Sequence, residues 1–177
     1  MALAHRSMYL VLASFVITLN CSNEGNQDHE SQVVEERGSQ MVSDDPNRAG
    51  PDGHPIIFTV IEMADDTVRV RELIEAGADI EARGYGQGTP ILMAAIGEKW
   101  RVVEVLLEAG ADPMIPDEFG FTVTYMAATS RLRPESVNGQ ALDRVREVLE
   151  ERGIIEIVVP PREVEQMMEE GSWPPAH

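Results

Sequence analysis

The chain has 177 residues, of which 43% are hydrophobic and 25% charged, a balance typical of one folded domain with short tails. Its net charge of −17 argues against nucleic-acid binding, because phosphate contacts need a basic surface. Cys21 is the single cysteine, which excludes an internal disulfide, and the four scattered histidines predict no metal site. An acidic surface of this kind can steer a basic protein partner, or it can serve only to keep the protein in solution.

The first twenty residues have the features of a targeting segment. His5 and Arg6 give a weakly basic start, and the twelve residues over 8–19 carry no charge. That length is usual for the hydrophobic region of a signal peptide and too short to span about 30 Å of hydrocarbon. We therefore expect residues 1–20 to be a signal segment, and a buried apolar N-terminal helix is the alternative.

Cys21 follows this apolar run with one residue between them. The arrangement resembles a bacterial lipoprotein signal, in which the cysteine is lipidated and becomes the mature N-terminus. Thr18 and Asn20 depart from that pattern, which favours a bulky aliphatic residue and a small residue at those places. The resemblance implies export to the periplasm or cell envelope with a membrane anchor at Cys21. A simple secretory signal is the alternative.

Residues 21–51 have the composition of a flexible acidic linker. Ser, Asn, Gln, Asp, Glu, Gly and Pro dominate, and apolar residues are isolated. Such a segment cannot bury enough apolar area to offset the entropy lost on ordering it. A flexible linker of roughly thirty residues has an end-to-end distance of about 30 Å. It would hold a folded domain just off a membrane anchor.

From Asp52 onward, three sequence elements recur with one common period. The recurring elements are Ala-Gly-Ala-Asp at 76–79 and 109–112, Thr-Pro at 89–90 with Thr-Val at 122–123, and Ala-Ala at 94–95 and 127–128. A period of about 33 residues is that of ankyrin repeats, each a β-turn followed by two antiparallel helices. Residues 52–153 therefore resemble an ankyrin array, which implies an all-α solenoid of about three repeats.

Each element of the middle repeat, residues 84–116, has a structural reason. Thr89 can cap the inner helix, with Pro90 at the first position, where a missing N–H costs nothing. The outer helix, expected over 100–109, carries an apolar stripe at helical spacing, made of Val102, Val103, Leu106 and Leu107. Gly110 then fits the left-handed position that ends a helix.

The two flanking repeats depart from this pattern. In the first, residues 52–83, Ile61-Glu62 stands in place of the paired alanines. In the third, residues 117–153, we expect a longer connection over 131–140 and an outer helix from Ala141. Atypical terminal repeats are usual, because they close the stack.

Residues 154–177 carry no repeat. An apolar run over 154–159 is followed by Pro160-Pro161 and by one or two expected helical turns over 162–170. We expect a non-ankyrin cap over the last repeat, since an open solenoid end would leave apolar surface wet. A partner-binding tail is the alternative.

No set of residues in the sequence predicts catalysis. Asp65-Asp66 could be paired carboxylates but are expected in a solvated turn, and His54 has no serine or cysteine nucleophile near it. Gly84, Gly86 and Gly88 alternate as in a hairpin and lack the following helix and lysine of a phosphate-binding loop. We therefore predict a protein that is not an enzyme and uses no cofactor or metal.

The resemblance also implies where a partner binds, because ankyrin stacks bind proteins on a concave side made of hairpin tips and inner-helix ends. Transferred by position, the partner-binding residues are Tyr85, Gly86, Gly88, Ile96 and Gly97 in the middle repeat and Glu118, Phe119, Phe121, Thr129 and Ser130 in the third. Exposed aromatic residues such as Tyr85 and Phe119 are favoured as interface anchors. Packing of Phe119 and Phe121 against the 131–140 connection or the C-terminal tail is the alternative.

Two classes of function follow. The first is a monomeric, exported and lipid-anchored module that binds a protein partner of basic character, as an inhibitor or immunity factor. The second is a structural or assembly factor of an envelope complex. If the N-terminal segment is not cleaved, a cytoplasmic adaptor becomes the leading interpretation.

Overall fold

A computed structural model describes residues 45–175, so the predicted signal segment, Cys21 and most of the predicted linker lie outside the described residues. The described elements, in chain order, are α1 (Ile56–Met63), α2 (Thr67–Glu75), a 3₁₀ turn (Tyr85–Gln87), α3 (Pro90–Ile96), α4 (Trp100–Glu108), α5 (Val123–Thr129), α6 (Val137–Glu151) and α7 (Pro161–Glu170). No strand forms between residues 45 and 175, where one isolated bridge joins Ala49 to Pro55. None of these helices has the length and apolar character needed to cross a bilayer.

The first six helices form two layers. In the inner layer α3 packs on both α1 and α5, and in the outer layer α4 packs on both α2 and α6. Each inner helix also packs on the outer helix of its own repeat. The described part of the chain is therefore an all-α solenoid of three helix pairs, as the period predicts.

Side chains at the helix ends explain where the helices begin and end. The Thr89 hydroxyl accepts a hydrogen bond from the Leu92 amide at 3.4 Å, and Thr122 accepts one from the Tyr125 amide at 3.3 Å. Pro90 occupies the first position of α3, where its missing N–H costs nothing. Gly110 has a φ of +96° directly after α4, the left-handed geometry expected there. These details confirm the predicted caps.

The hydrophobic core lies between the two layers. The largest fully buried side chains come from every repeat and include Leu73, Ile91, Trp100, Leu106, Leu142 and Leu149. Ala94, Ala95 and Ala127 are also fully buried, and their small side chains allow adjacent helices to approach closely. In the first repeat Ile61 takes the place of an alanine and is buried at 2% exposure.

Charged side chains join neighbouring repeats on the outer layer. Arg144 of α6 donates two hydrogen bonds to the Glu104 carboxylate of α4, at 2.6 and 2.8 Å. Arg71 of α2 forms an ion pair with Glu108 of α4 at 2.8 Å. Lys99 donates to backbone carbonyls of the last turn of α1, where a cation also complements the helix dipole.

The sequence predicted that the outer helix of the third repeat begins at Ala141. In the structure this helix begins at Val137. Ser136 caps it by accepting a hydrogen bond from the Gly139 amide at 2.9 Å. Gly139 lies inside this helix. A Cβ at this position would overlap the carbonyl oxygen of Arg133, so only glycine fits. The glycine that looked like part of a loop is thus required by close backbone packing.

This longer helix also ties the third repeat to the first. Asn138 donates to Asp65 at 3.0 Å and accepts from the Arg101 amide at 3.1 Å. Asp66 caps α2 by accepting from the Val68 and Arg69 amides, both at 3.1 Å. Asp65 and Asp66 were expected in a solvated turn. Both are half-buried, and their carboxylates bind Asn138 of the third repeat and the first turn of α2.

Residues before Asp52, which the sequence assigned to the linker, contact the first repeat. Asn47 accepts a hydrogen bond from the Asp79 amide at 2.7 Å and donates to the Gly77 carbonyl at 3.2 Å. The Ile56 amide donates to the Arg48 carbonyl at 2.9 Å. The folded part of the chain therefore includes residues 45–51.

The C-terminal segment packs on the third repeat. Ile154 and Ile155 pack against the core, and Val164 of α7 is fully buried. The Trp173 indole N–H donates to the Met114 carbonyl at 3.1 Å. These contacts bring the segment over surface that another repeat would cover in a longer array.

Replacing Leu106 by Ala tests the core of this stack. Because Leu106 is 0% exposed, we expect the free energy of unfolding to fall by about 2–5 kcal/mol, as for other buried leucines. Urea unfolding followed by circular dichroism measures it. Val68→Ala, at a side chain 64% exposed on α2, is the control and should change the unfolding free energy by less than about 0.5 kcal/mol. Equal effects of the two variants would contradict the packing.

Candidate protein-binding face

Two successive hairpins present exposed aromatic rings. Residues 84–88 close with a hydrogen bond from the Gly84 amide to the Gly88 carbonyl at 2.9 Å. Residues 117–121, one repeat later, close in the same way from Asp117 to Phe121 at 3.2 Å. Tyr85 is 73% exposed and Phe119 is 50% exposed. Both predicted aromatic residues thus lie at hairpin tips with their rings open to solvent.

Direct contacts tie the two tips together. The Glu118 amide donates to the Gly86 carbonyl at 2.8 Å. Arg83 donates to the Gln87 carbonyl of its own hairpin at 2.7 Å and to the Pro116 carbonyl before the next hairpin at 3.3 Å. Hydrogen bonds therefore join the two hairpins to each other.

Gly86 supports the Phe119 ring. It has a φ of +61°, and a Cβ there would lie only 2.9 Å from a ring carbon of Phe119. The ring thus packs over Gly86, where only glycine leaves room for it. Gly86, predicted as a contact residue, thus lies directly against the Phe119 ring.

The last residues of the three inner helices form an exposed row beside the hairpins. Met63, Ile96 and Thr129 end α1, α3 and α5 and are separated from one another by one repeat period. Met63 is 80% exposed and Ile96 is 41% exposed. Sequence reasoning chose Ile96 and Thr129 but missed Met63, although the repeat period points to it.

A second row lies one helical turn before the first. Val60, Met93 and Met126 follow the same repeat period and are partly buried. Residues three apart lie on the same helix face, so this row continues the first toward the hairpins. We call the exposed and partly buried apolar residues of the tips and the two rows the apolar strip: Val60, Met63, Tyr85, Met93, Ile96, Phe119 and Met126.

Some predicted contact residues are used inside the molecule. Gly88 is buried, and a Cβ there would lie 3.0 Å from the Met93 sulfur, so it offers no surface to a partner. The Ser130 hydroxyl donates to Glu98 at 2.8 Å. Glu98 also accepts from the Trp100 indole N–H at 2.7 Å. Ser130 therefore belongs to a contact between the second and third repeats.

The remaining predicted positions differ in exposure. Phe121 is half-buried and packs edge-to-face on Tyr125, with ring centroids 6.0 Å apart. Thr129 is exposed, and its hydroxyl donates to the Tyr125 carbonyl at 2.8 Å. Gly97 and Glu118 are exposed next to Ile96 and Phe119. Phe121 therefore packs within its own repeat, while the ring of Phe119 is open to solvent.

A buried carboxylate holds the third hairpin. Asp117 is 5% exposed and accepts hydrogen bonds from the Phe119 and Phe121 amides at 3.0 and 2.8 Å. Burial raises the pKa of Asp117 above its ordinary value of 3.8, although these backbone hydrogen bonds act in the opposite direction. The hairpin thus keeps a carboxylate whose charged form is disfavoured by desolvation.

The described residues offer no evident set of groups for metal chemistry. Between residues 45 and 175, no three or more His, Cys, Asp or Glu side chains come together as a metal-binding group. His54 packs against the Phe58 ring, with centroids 6.1 Å apart. What this face presents is apolar contact area, with the Glu62 and Glu118 carboxylates beside it.

Replacing Asp117 by Asn tests the carboxylate. Asn keeps an oxygen for the two amides and removes the ionisable group. A raised folded-state pKa contributes stability that is fully present below the unfolded value and is lost as pH rises through the folded value. We therefore expect wild type to lose stability relative to Asp117→Asn as pH rises from about 4 to 7, in urea unfolding at each pH. A relative gain over that range would contradict the assignment.

Comparison with known proteins identifies one segment of this fold. Residues 88–118 match the family model described as Ankyrin repeat. Over 72 residues the chain is 33% identical to Protein lin-12 of Caenorhabditis elegans, which is 40% of this chain and 5% of that protein. Over 56 residues, 32% of the chain, it is 43% and 41% identical to the mitochondrial disaggregases of Bos taurus and Homo sapiens, covering 8% of each.

The chain therefore spans a small fraction of the length of these relatives, and the likeness concerns one segment of each. The matched residues contain the Gly88 hairpin end, α3 and α4, followed by the turn to the next hairpin. Stacked repeats of this kind form concave surfaces that bind protein partners. The family match therefore identifies an ankyrin repeat at residues 88–118, within a short all-α solenoid of stacked helix pairs.

Proposed function

We propose that this protein is a non-catalytic module that binds a protein partner along the apolar strip. The observation that carries the proposal is the exposure of the Tyr85 and Phe119 rings on successive hairpins, together with that of Met63 and Ile96, which end successive inner helices one repeat period apart. Contiguous exposed apolar surface is uncommon on monomeric proteins and often marks an interaction site.

The side chains of the strip suit an interface in two ways. Tyr85 and Phe119 supply large rings on hairpins fixed by backbone contacts, so little entropy is lost when they are buried. Met63, Met93 and Met126 are flexible and adapt to the shape of a partner. A stable complex buries about 800 Å² on each side, an area that three repeats can provide.

The charge of the protein favours a partner with a basic rim. The net charge is −17, and exposed Glu62 and Glu118 lie next to Met63 and Phe119. Opposite charges around an apolar centre raise association rates and select against acidic proteins. We propose a single copy of the protein and a basic partner in the complex.

We propose that the protein is exported and anchored to the cell envelope through lipidated Cys21. The support is the uncharged run over 8–19 and the cysteine that follows it. In this arrangement the folded domain inhibits, or gives immunity against, a toxin or enzyme that reaches the same compartment. This role fits a binding module without catalytic groups of its own.

Removing both aromatic tips tests the binding face. We expect Tyr85→Ala with Phe119→Ala to weaken affinity for the partner captured from native membranes by at least tenfold, about 1.4 kcal/mol. The melting temperature should stay nearly unchanged because both rings are exposed. Calorimetric titration of the purified partner measures the affinity, and calorimetric unfolding measures the stability.

Val68→Ala with Val137→Ala is the matched control, because both side chains are 64% exposed and lie outside the strip. The control should bind like wild type. Full affinity in the folded aromatic double variant would show that the strip is not the binding site, and unfolding of that variant would show that the two rings belong to the core.

Replacing Cys21 by Ser tests the anchor. A lipid chain contributes about 0.8 kcal/mol per buried CH₂, so we expect wild type to partition into detergent and the variant to stay in the aqueous phase. Intact-mass analysis of the native protein supplies the direct reading. A chain that still begins at Met1, or an unmodified Cys21, would contradict lipidation.

A further inference from the structure

The first turn of α7 packs directly on the third hairpin. A Cβ on Gly120 would overlap the carbonyl oxygen of Pro161 and would lie 3.0 Å from the Glu165 backbone nitrogen. Gly120 is buried and follows Phe119 in the chain. The backbone of the C-terminal segment therefore touches the hairpin that presents one of the two aromatic tips.

Two side chains hold this segment in place. Val164, on the first turns of α7, is 0% exposed. Trp173, beyond the end of α7, donates from its indole N–H to the Met114 carbonyl at 3.1 Å. Met114 comes three residues before Asp117, where the hairpin begins. The segment is thus attached both at the hairpin tip and near the hairpin base.

The contact takes the place of a missing repeat. The second hairpin is held by the third, through the hydrogen bond from the Glu118 amide to the Gly86 carbonyl. Asp117 lies seven residues after Gly110, and Pro160 lies seven residues after Gly153, the glycine that ends the next outer helix. A fourth hairpin would therefore begin where α7 begins, and α7 occupies its position against the third.

We propose that residues 160–173 are a positioning element of the binding face, which holds the third hairpin so that the Phe119 ring stays over Gly86. This role rests on the proposed function of the apolar strip. A hairpin free on one side would sample other positions, and a partner would then have to order it on binding. The C-terminal segment removes that cost in the unbound protein.

The test uses the full chain with Val164→Asp, which places a charge at a buried site on α7. The readout is the chemical shift of the Gly86 α-protons, because the Phe119 ring packed over Gly86 shifts those protons. The Phe119→Leu variant gives the reference chemical shift of the Gly86 α-protons in the absence of the aromatic ring. We expect Val164→Asp to move the Gly86 shift most of the way to the Phe119→Leu value.

Amide hydrogen exchange gives a second readout in the same samples. The amides of Glu118, Phe119 and Phe121 donate to Gly86 and Asp117, and we expect their protection to fall about tenfold. Protection in α3 and α4 should not change. Met168→Asp is the matched control, because Met168 is on the same helix and 41% exposed, and it should leave both readouts at wild-type values.

If Val164→Asp also lowers protection throughout α4, Trp173→Phe decides the question, since it removes only the hydrogen bond to Met114 and part of one ring. We expect faster exchange confined to residues 118–121 and a measurable change in the Gly86 shift. Wild-type values for both readouts in Trp173→Phe, or in a folded Val164→Asp, would overturn the proposal. Both measurements are made without partner, so their failure would leave the proposed binding function standing.

Discussion

The close approach of the helices at Ala94, Ala95 and Ala127 sets the spacing on which the rest of the molecule depends. These side chains are fully buried, and a larger residue would push adjacent repeats apart or force them off register. Because the repeats keep this spacing, the Glu118 amide comes within 2.8 Å of the Gly86 carbonyl. Residues one repeat period apart then take matching places in successive repeats, as Met63, Ile96 and Thr129 do at the ends of the inner helices.

Polar groups determine the position of the hairpins at this spacing of the repeats. Arg83 spans two hairpins through the Gln87 and Pro116 carbonyls. The Asp117 carboxylate is removed from water and accepts hydrogen bonds from two backbone amides. Its raised pKa reflects the loss of solvation. Apolar burial accounts for most of the stability of such a stack, whereas these contacts give the tips a defined orientation. A surface with oriented aromatic rings loses less entropy on binding than one with mobile loops.

Much of the fold could be predicted because its signals are local. The repeat period fixes the number of repeats, and Thr89, Thr122 and Gly110 mark helix ends through their own side-chain or backbone chemistry. The start of α6 could not be predicted from such signals. A glycine such as Gly139 is typical of a loop, and its place inside the helix is explained only by the close approach of the Arg133 carbonyl.

The candidate binding face was harder to predict because the exposure of a residue depends on residues distant in the sequence. Gly88 has the sequence position of a surface residue but is covered by Met93, and Ser130 is engaged by Glu98 from the preceding repeat. Met63 was missed for a different reason. Its repeat lacks the threonine-proline and paired-alanine motifs, so no contact residues were chosen there, although the repeat period places Met63 in register with Ile96.

The most direct test of the whole account is site-specific photocrosslinking, with benzoylphenylalanine at position 96 on the apolar strip or at position 68 on α2. Both positions are exposed, at 41% and 64%, so the reagent can reach solvent from each. If a partner lies along the inner side of the stack, position 96 will give a crosslinked species of one defined mass and position 68 will give none. A crosslink from position 68 with none from position 96 would contradict the account.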